Sequence, residues 1–198
     1  MASPQNRPRR PPRPVRRPPA EPPLPLPARG LEDGVVRLRL PQESDAHAIA
    51  EGCSDPEVAR WTLVPSPYTL EDARAWIALA TVQSKGDREL ALVIVRPGED
   101  RPVGGAALRV RTDPEPHGDI GYWVAAAARR QGVGKRAVLL LADHGLGALG
   151  LPFIEISVSP DNEASRRLAL SAGFEPHDRR LREFKGRLEE FDLFRRYA

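Results

Sequence analysis

The sequence predicts an α/β fold in which a mixed, mostly antiparallel sheet of about seven strands surrounds a central parallel β-α-β unit. Three observations carry this. Strand-like alternation and helix-like periodicity follow one another in the order β-α-α-β-β-β-α-β-α-β-β. Gly132-Val133-Gly134 stands between an apolar strand-like run and a helix-like segment, and the next apolar run is Phe153–Val158. That makes the helix a right-handed crossover between parallel strands. The 198 residues contain no internal repeat and suit one domain with a substantial core.

Residues 1–30 stand apart from this pattern. They hold eleven of the 22 prolines and seven arginines against Glu21, with few apolar side chains beyond Val15, Leu24 and Leu26. Such a segment cannot bury enough surface to offset its ordering entropy, so it reads as a disordered tail of polyproline II character. The folded domain is then expected over 31–198. The tail carries +6, which leaves 3 − 6 = −3 for the rest of the +3 chain. Its basicity belongs to the tail, and nucleic acid is expected as a partner through the tail alone.

From Leu31 onwards each element has its own signal. Val35–Leu40 alternates like a first strand, and Ser44 or Asp45 can cap a helix carrying Ala46, Ile49, Ala50 and Cys53. Thr69 with Asp72 resembles a capping box, and Ala73, Trp76, Ile77 and Ala80 give the spacing of a second helix. The loop between the two holds Trp61, Pro65, Pro67 and Tyr68. Glu89–Val95 and Val103–Val110 form an antiparallel pair around Pro97–Asp100, with Gly104-Gly105 suggesting a bulge. Ile120–Val124 is a short strand, and Ala137, Val138, Leu141 and Ala142 share one helical face before Gly145, Gly147 and Gly150 end it. After Phe153–Val158, Asp161 or Asn162 caps a helix that stops at Gly173. Leu181–Lys185 and Leu188–Phe194 close the chain as a hairpin.

Several classes of function drop out. A lone Cys53 cannot form an internal disulfide framework, and His47, His117, His144 and His177 show no metal-ligand spacing, so no metal is expected. No apolar run approaches a membrane span, and the Arg-rich start lacks the apolar core of a signal peptide. A soluble, cytoplasmic protein is the expectation.

The glycine junction points to phosphate. Glycines there let the backbone turn tightly and leave main-chain N–H groups uncovered, while the helix N-terminus and Arg129, Arg130, Lys135 and Arg136 add positive charge. A P-loop fails, because Arg136 stands where the metal-binding hydroxyl belongs and Arg129 where the first glycine belongs. A dinucleotide fingerprint is matched over Gly132–Ala137, with Glu155 as the ribose acid. Glu155, however, lies inside a strand, and too little chain follows for a doubly wound sheet.

A longer match comprises Val124-x-Ala126-x-x-Arg129-Arg130-x-Gly132-Val133-Gly134, the preceding Ile120–Trp123, Asp161–Ser165, and Ser171–Phe174. Leu38–Leu40 and Ser54–Val58 add to it. Together these resemble the GNAT superfamily of N-acetyltransferases, in its branch of ribosomal-protein N-terminal acetyltransferases (RimJ/RimL type). The resemblance runs from about residue 34 to 196 and departs at Ala126, where the family has Pro, and at Arg130, where it has Gly. It departs again at Ala169, where many members carry a Tyr that protonates the leaving thiolate.

What the resemblance implies is direct attack of a primary amine on the thioester of acetyl-CoA. The acceptor would be a protein N-terminus or a small amine of aminoglycoside or polyamine type. A non-catalytic CoA-binding module with an RNA-binding tail is the alternative of another class. The implied donor contacts are main chain around Trp123 and Val124, the loop Arg129, Arg130, Gln131, Gly132, Val133, Gly134 and Lys135, and the helix start at Asn162 and Ser165. The N–H of Val124 is the natural oxyanion donor. Asp119 and Glu155 are the visible acids that could take the amine proton, and Ser165 is the substitute proton donor for the missing Tyr. Acceptor choice is expected in residues 44–84 and in the last hairpin.

Overall fold

In the computed structural model, residues 24–81 and 88–198 are described. The chain begins with β1 (Leu31–Glu32) and β2 (Arg37–Arg39), then runs through three helices: α1 (Ala46–Cys53), α2 (Pro56–Trp61) and α3 (Leu70–Thr81). Next come β3 (Glu89–Val95), β4 (Gly104–Arg111) and β5 (His117–Val124). Helix α4 (Val133–Asp143) crosses to β6 (Phe153–Val158), and α5 (Glu163–Ser171) leads to the hairpin β7 (Glu175–Phe184) and β8 (Arg187–Tyr197). The eight strands form one sheet in the order β1-β2-β3-β4-β5-β6-β8-β7, with β5–β6 as its one parallel pair.

Helices cover both faces. On one, α4 and α5 pack Ala137, Val138, Leu141 and Ala169 against Leu92, Ile94, Leu108, Ile154 and Ile156. On the other, α1 and α3 pack Ile49, Cys53, Ala73 and Ile77 against Val93 and Val95. β3 is thus buried on both sides, which is why its run Leu90–Val95 is apolar without alternation.

Four elements differ from the sequence reading. The sheet has eight strands rather than seven, because Leu31–Glu32 pairs with Arg37 and Leu38. Asp55 caps a third helix, α2: its carboxylate accepts from the N–H of Glu57 at 2.9 Å, and Pro56 stands in the first turn. The Gly104-Gly105 pair makes no bulge, and its register with Val124 and Trp123 is regular. Those glycines are small because a Cβ on Gly105 would lie 2.5 Å from the Trp123 indole nitrogen. Asp45 does not cap α1 with its side chain: its carboxylate takes a bidentate pair from Arg39 at 2.7 and 2.9 Å and accepts from the N–H of Gln42 at 2.8 Å. The expected capping box is present: Thr69 N–H donates to Asp72, and Asp72 N–H to Thr69 Oγ, at 2.8 and 3.1 Å.

Residues before Leu31 also pack against the domain. Leu24 is buried in the core, and His144 Nε2 donates to the carbonyl of Pro25 at 2.8 Å. A carbonyl only accepts, so this fixes the proton on Nε2. The remainder of the expected tail, 1–23, and residues 82–87 lie outside the described residues.

Candidate active site

β5 and β6 pair only at Gly118–Ile154 and Asp119–Glu155. Beyond that point β5 continues to Val124 along β4, and β6 continues to Val158 along β8, so the two strands part. The free edge of β5 follows from its pairing. Ala125 N–H donates to Val103 O at 2.9 Å, so alternation turns the main chain of Trp123 towards β4. The N–H groups of Tyr122 and Val124 then face the opened side.

At the end of this arm the chain turns into α4. Arg130 (φ 61°) and Gly132 (φ 77°) both adopt left-handed backbone. That explains why the family pattern favours Gly where Arg130 stands. The first helical bond runs from Arg136 N–H to Gly132 O at 3.1 Å, so Val133, Gly134 and Lys135 offer N–H groups with no helical acceptor. Nothing would lie within 4 Å of a Cβ on Gly132, so this face is open. A Cβ on Gly134 would lie 3.1–3.2 Å from Leu168 and Val124, which ties that glycine to close packing of helix on strand.

The four cations of this stretch divide in two. Arg129 donates to Val124 O at 3.0 Å and pairs with Asp55 at 2.6 Å, and Arg136 pairs with Asp33 at 2.8 Å. Arg129 therefore braces the turn against α2. Among the described residues, Arg130 and Lys135 have no acidic partner. Gln131 is anchored on Ala127 O at 2.8 Å and bonds to Arg96. Open N–H groups flanked by two unpaired cations fit a pyrophosphate.

Trp123 is committed to the fold. Its ring fills the space that Gly52 and Gly105 leave, a Cβ on Gly52 falling 2.3 Å from it. Tyr122, on the opposite face, reaches across the opening, and its hydroxyl lies 2.9 Å from Ser165 Oγ. Burial pushes this phenol above the ordinary tyrosine value, against the opposing effect of the Ser165 bond. Asn162 caps α5 by accepting from Ser165 N–H at 3.1 Å. Ala169 is buried in the core one turn further on.

On the other face of the sheet a cleft of about 560 Å³ opens where the strands part, with Asp119 and Glu155 in its wall. Glu155 is 1% exposed, and its two oxygens are occupied by Arg182 at 2.7 Å and Arg195 at 3.0 Å. It is held as a structural counter-ion, which removes it from the candidate bases. Among the described residues, Asp119 pairs with Arg111 alone, at 3.7 Å. Cys53 is buried, its thiol pushed up to about 12 by burial, and is no nucleophile.

Sequence reasoning missed several residues here. His117 lines the cleft, stacks on Phe153 with centroids 5.1 Å apart, and donates from Nδ1 to Glu115 O at 2.8 Å. Ser157 Oγ, on the β6 arm, is buried with no hydrogen-bond partner among the described residues. Neither had a spacing signal. Among the described residues no acidic, His or Cys cluster could hold a metal, and no helix is long and apolar enough to cross a membrane.

Residues 36–175 match the family model of the acetyltransferase (GNAT) domain. The uncharacterised N-acetyltransferase YoaA of Bacillus subtilis is 28% identical over 145 residues, covering 73% of this chain and 82% of the relative. Mycobacterium smegmatis RimJ, solved with a CoA disulfide, superposes with a TM-score of 0.72 at 24% identity over 83% of each chain. The microcin C7 self-immunity acetyltransferase MccE, solved with acetyl-CoA and AMP, gives 0.71 at 17% identity over 84% of this chain and 94% of its own.

Proposed function

The chain belongs to the acetyltransferase (GNAT) family, and from that premise we propose that it moves the acetyl group of acetyl-CoA directly to a primary amine. The observation that carries this reading is the parting of β5 and β6 at Asp119–Glu155, with the open N–H groups of α4 at the end of the β5 arm. Bound acetyl-CoA supplies an activated thioester. The main chain of Gln131–Lys135, with Arg130 and Lys135, holds its pyrophosphate. The N–H groups of Tyr122 and Val124 receive its arm, and the one on Val124 stabilises negative charge on the carbonyl oxygen.

The amine approaches from the cleft on the other face and must lose a proton to react. Asp119 lies five residues along β5 from Val124, about 16 Å away, so it takes that proton through intervening water, both oxygens of Glu155 being engaged. The lining also bears on the acceptor. Among the described residues, Asp119 pairs with Arg111, Glu155 with Arg182 and Arg195, Glu115 with Arg195 and Asp178 with Arg180, so these acids of the wall are already neutralised. A polyamine or aminoglycoside needs an acidic surplus, so an amine on a neutral or acidic backbone, such as a protein N-terminus, fits better.

Incubation of the protein with acetyl-CoA and a panel of peptides, polyamines and aminoglycosides, read as free CoA thiol and acceptor mass, tests this. Peptide N-termini are expected to be acetylated in preference to polyamines. Absence of thiol release with every acceptor, together with no stabilisation by CoA, would refute the reading.

A further inference from the structure

We propose that Tyr122 and Ser165 form a two-hydroxyl relay that protonates the leaving sulfur, Ser165 giving its proton to sulfur and Tyr122 replacing it. The inference rests on the acetyl-transfer reading above. Ser165 is the member that touches the reacting atoms, and Tyr122 acts through it. Tyr122 stands on the β5 arm and Ser165 on the first turn of α5, which follows the β6 arm, so their 2.9 Å contact bridges the two arms where they separate. Asn162 fixes the start of α5 from the main chain, and this leaves the Ser165 hydroxyl free to lie between phenol and ligand. One turn further along α5 the side chain is Ala169, with no proton to give.

Proton affinities explain why a serine would need a phenol behind it. As the amine nitrogen bonds to the acetyl carbon, the C–S bond breaks and its electron pair goes to sulfur, a thiolate whose acid has a value of about 8.5–9 on the cysteine scale. A serine hydroxyl acting alone would be left as an alkoxide, a far stronger base than the thiolate it protonates. A phenol ionises near 10 and burial raises Tyr122 above that, so passing the charge on to Tyr122 leaves the transfer uphill, but by far less than stopping at an alkoxide. Nitrogen sheds two protons, the first through Asp119 before attack and the second to water as the amide forms; one reaches sulfur from Ser165; Tyr122 refills Ser165 and is refilled from water, so one proton is released overall. The upward push that burial gives the phenol keeps it protonated, as a donor must be, at neutral pH.

The test compares full-length wild type with Tyr122→Phe, Ser165→Ala, Ser165→Thr and the Phe/Ala double variant. Binding of CoA and of desulfo-CoA is measured by calorimetry, alongside kcat and KM with the best peptide acceptor. Each hydroxyl deletion is expected to lower kcat by about 100-fold, at the lower end of general acid catalysis, with KM for acetyl-CoA unchanged. The double variant should lose no more than the worse single one, and Ser165→Thr, which keeps the hydroxyl, should stay within about threefold of wild type. The preference for CoA over desulfo-CoA should shrink in the variants while desulfo-CoA affinity stays constant. Multiplying losses, or an unchanged CoA preference and kcat in Tyr122→Phe, would overturn the relay while acetyl transfer stands. A wild type that neither binds CoA nor releases thiol would overturn both. Should Tyr122→Phe melt early, Ser165→Ala, at a half-buried helix start, carries the same comparison.

Discussion

Under the acetyl-transfer proposal, the groups that meet the donor from Gln131 to Lys135 are main-chain N–H groups, aimed by left-handed backbone at Arg130 and Gly132. Across the sheet, the cleft around Asp119 is walled by side chains carried by β4, β5, β6, β7 and β8, locked to one another by ion pairs. A site made of backbone depends on where glycines fall and on how a helix starts, whereas a site made of paired charges depends on every partner staying in place. The two should therefore fail differently. Backbone changes at the donor end should alter affinity, and charge changes in the cleft should alter stability first.

The largest effect is expected from Arg195→Ala. It strips one of two guanidiniums from a carboxylate that is 1% exposed, and leaving a buried charge short of a partner costs about 3–5 kcal/mol. Urea unfolding measures this, and CoA affinity of the folded fraction should not change. A weakened donor with intact stability would break the comparison.

Gly52→Ala comes next. In a helix Ala is favoured over Gly by about 1 kcal/mol, but its Cβ would lie 2.3 Å from the Trp123 ring, and overpacking costs about 1–3 kcal/mol. A net loss of about 1 kcal/mol, seen as a lower melting temperature, is expected; a gain would mean that Trp123 moves freely.

Arg130→Gly separates the two properties within the donor end. Release of the left-handed strain should raise stability by about 1 kcal/mol, while acetyl-CoA affinity falls by about fivefold with loss of an exposed cation. If both change in the same direction, Arg130 does not face phosphate.

The smallest effect concerns pH. Burial raises the Asp33 carboxyl, but hydrogen bonds from Val36, Arg136 and Val35 outweigh it and hold the group below the ordinary aspartate range. A lowered folded value stabilises above the unfolded value and loses that contribution as pH falls through the lowered one. Asp33→Asn should flatten a slight drop in melting temperature below about pH 4, and wild type should show that drop; the effect is small because Asp33 is exposed.

The same contrast decides what could be read from the residues. Gly132-Val133-Gly134 before an amphipathic segment exposes the donor end directly, because glycine spacing and periodicity are local properties. The third helix was also written locally, in Asp55-Pro56, and a capping rule applied there finds it. Arg129 was misleading. Its charge counts towards a phosphate site only until Asp55, distant in sequence, is seen to take it. The cleft was least legible: Glu155 looks like a free acid until β7 and β8 bring up Arg182 and Arg195, and His117 has no meaning before Phe153 and Glu115 orient it. Tyr122 likewise gains its role only through contact with Ser165 across the opening.

The α4 end is the proposed phosphate site for the donor, and the melting temperature with and without CoA tests that most directly. At a hundred times the dissociation constant the folded state gains about 2.7 kcal/mol, which for a domain of this size is a rise of about 5–10 °C in wild type. At the same CoA concentration Gly132→Val, which forces a branched side chain into left-handed backbone among the open N–H groups, should lose most of that rise. No rise in wild type at millimolar CoA, or an undiminished rise in Gly132→Val, would contradict it.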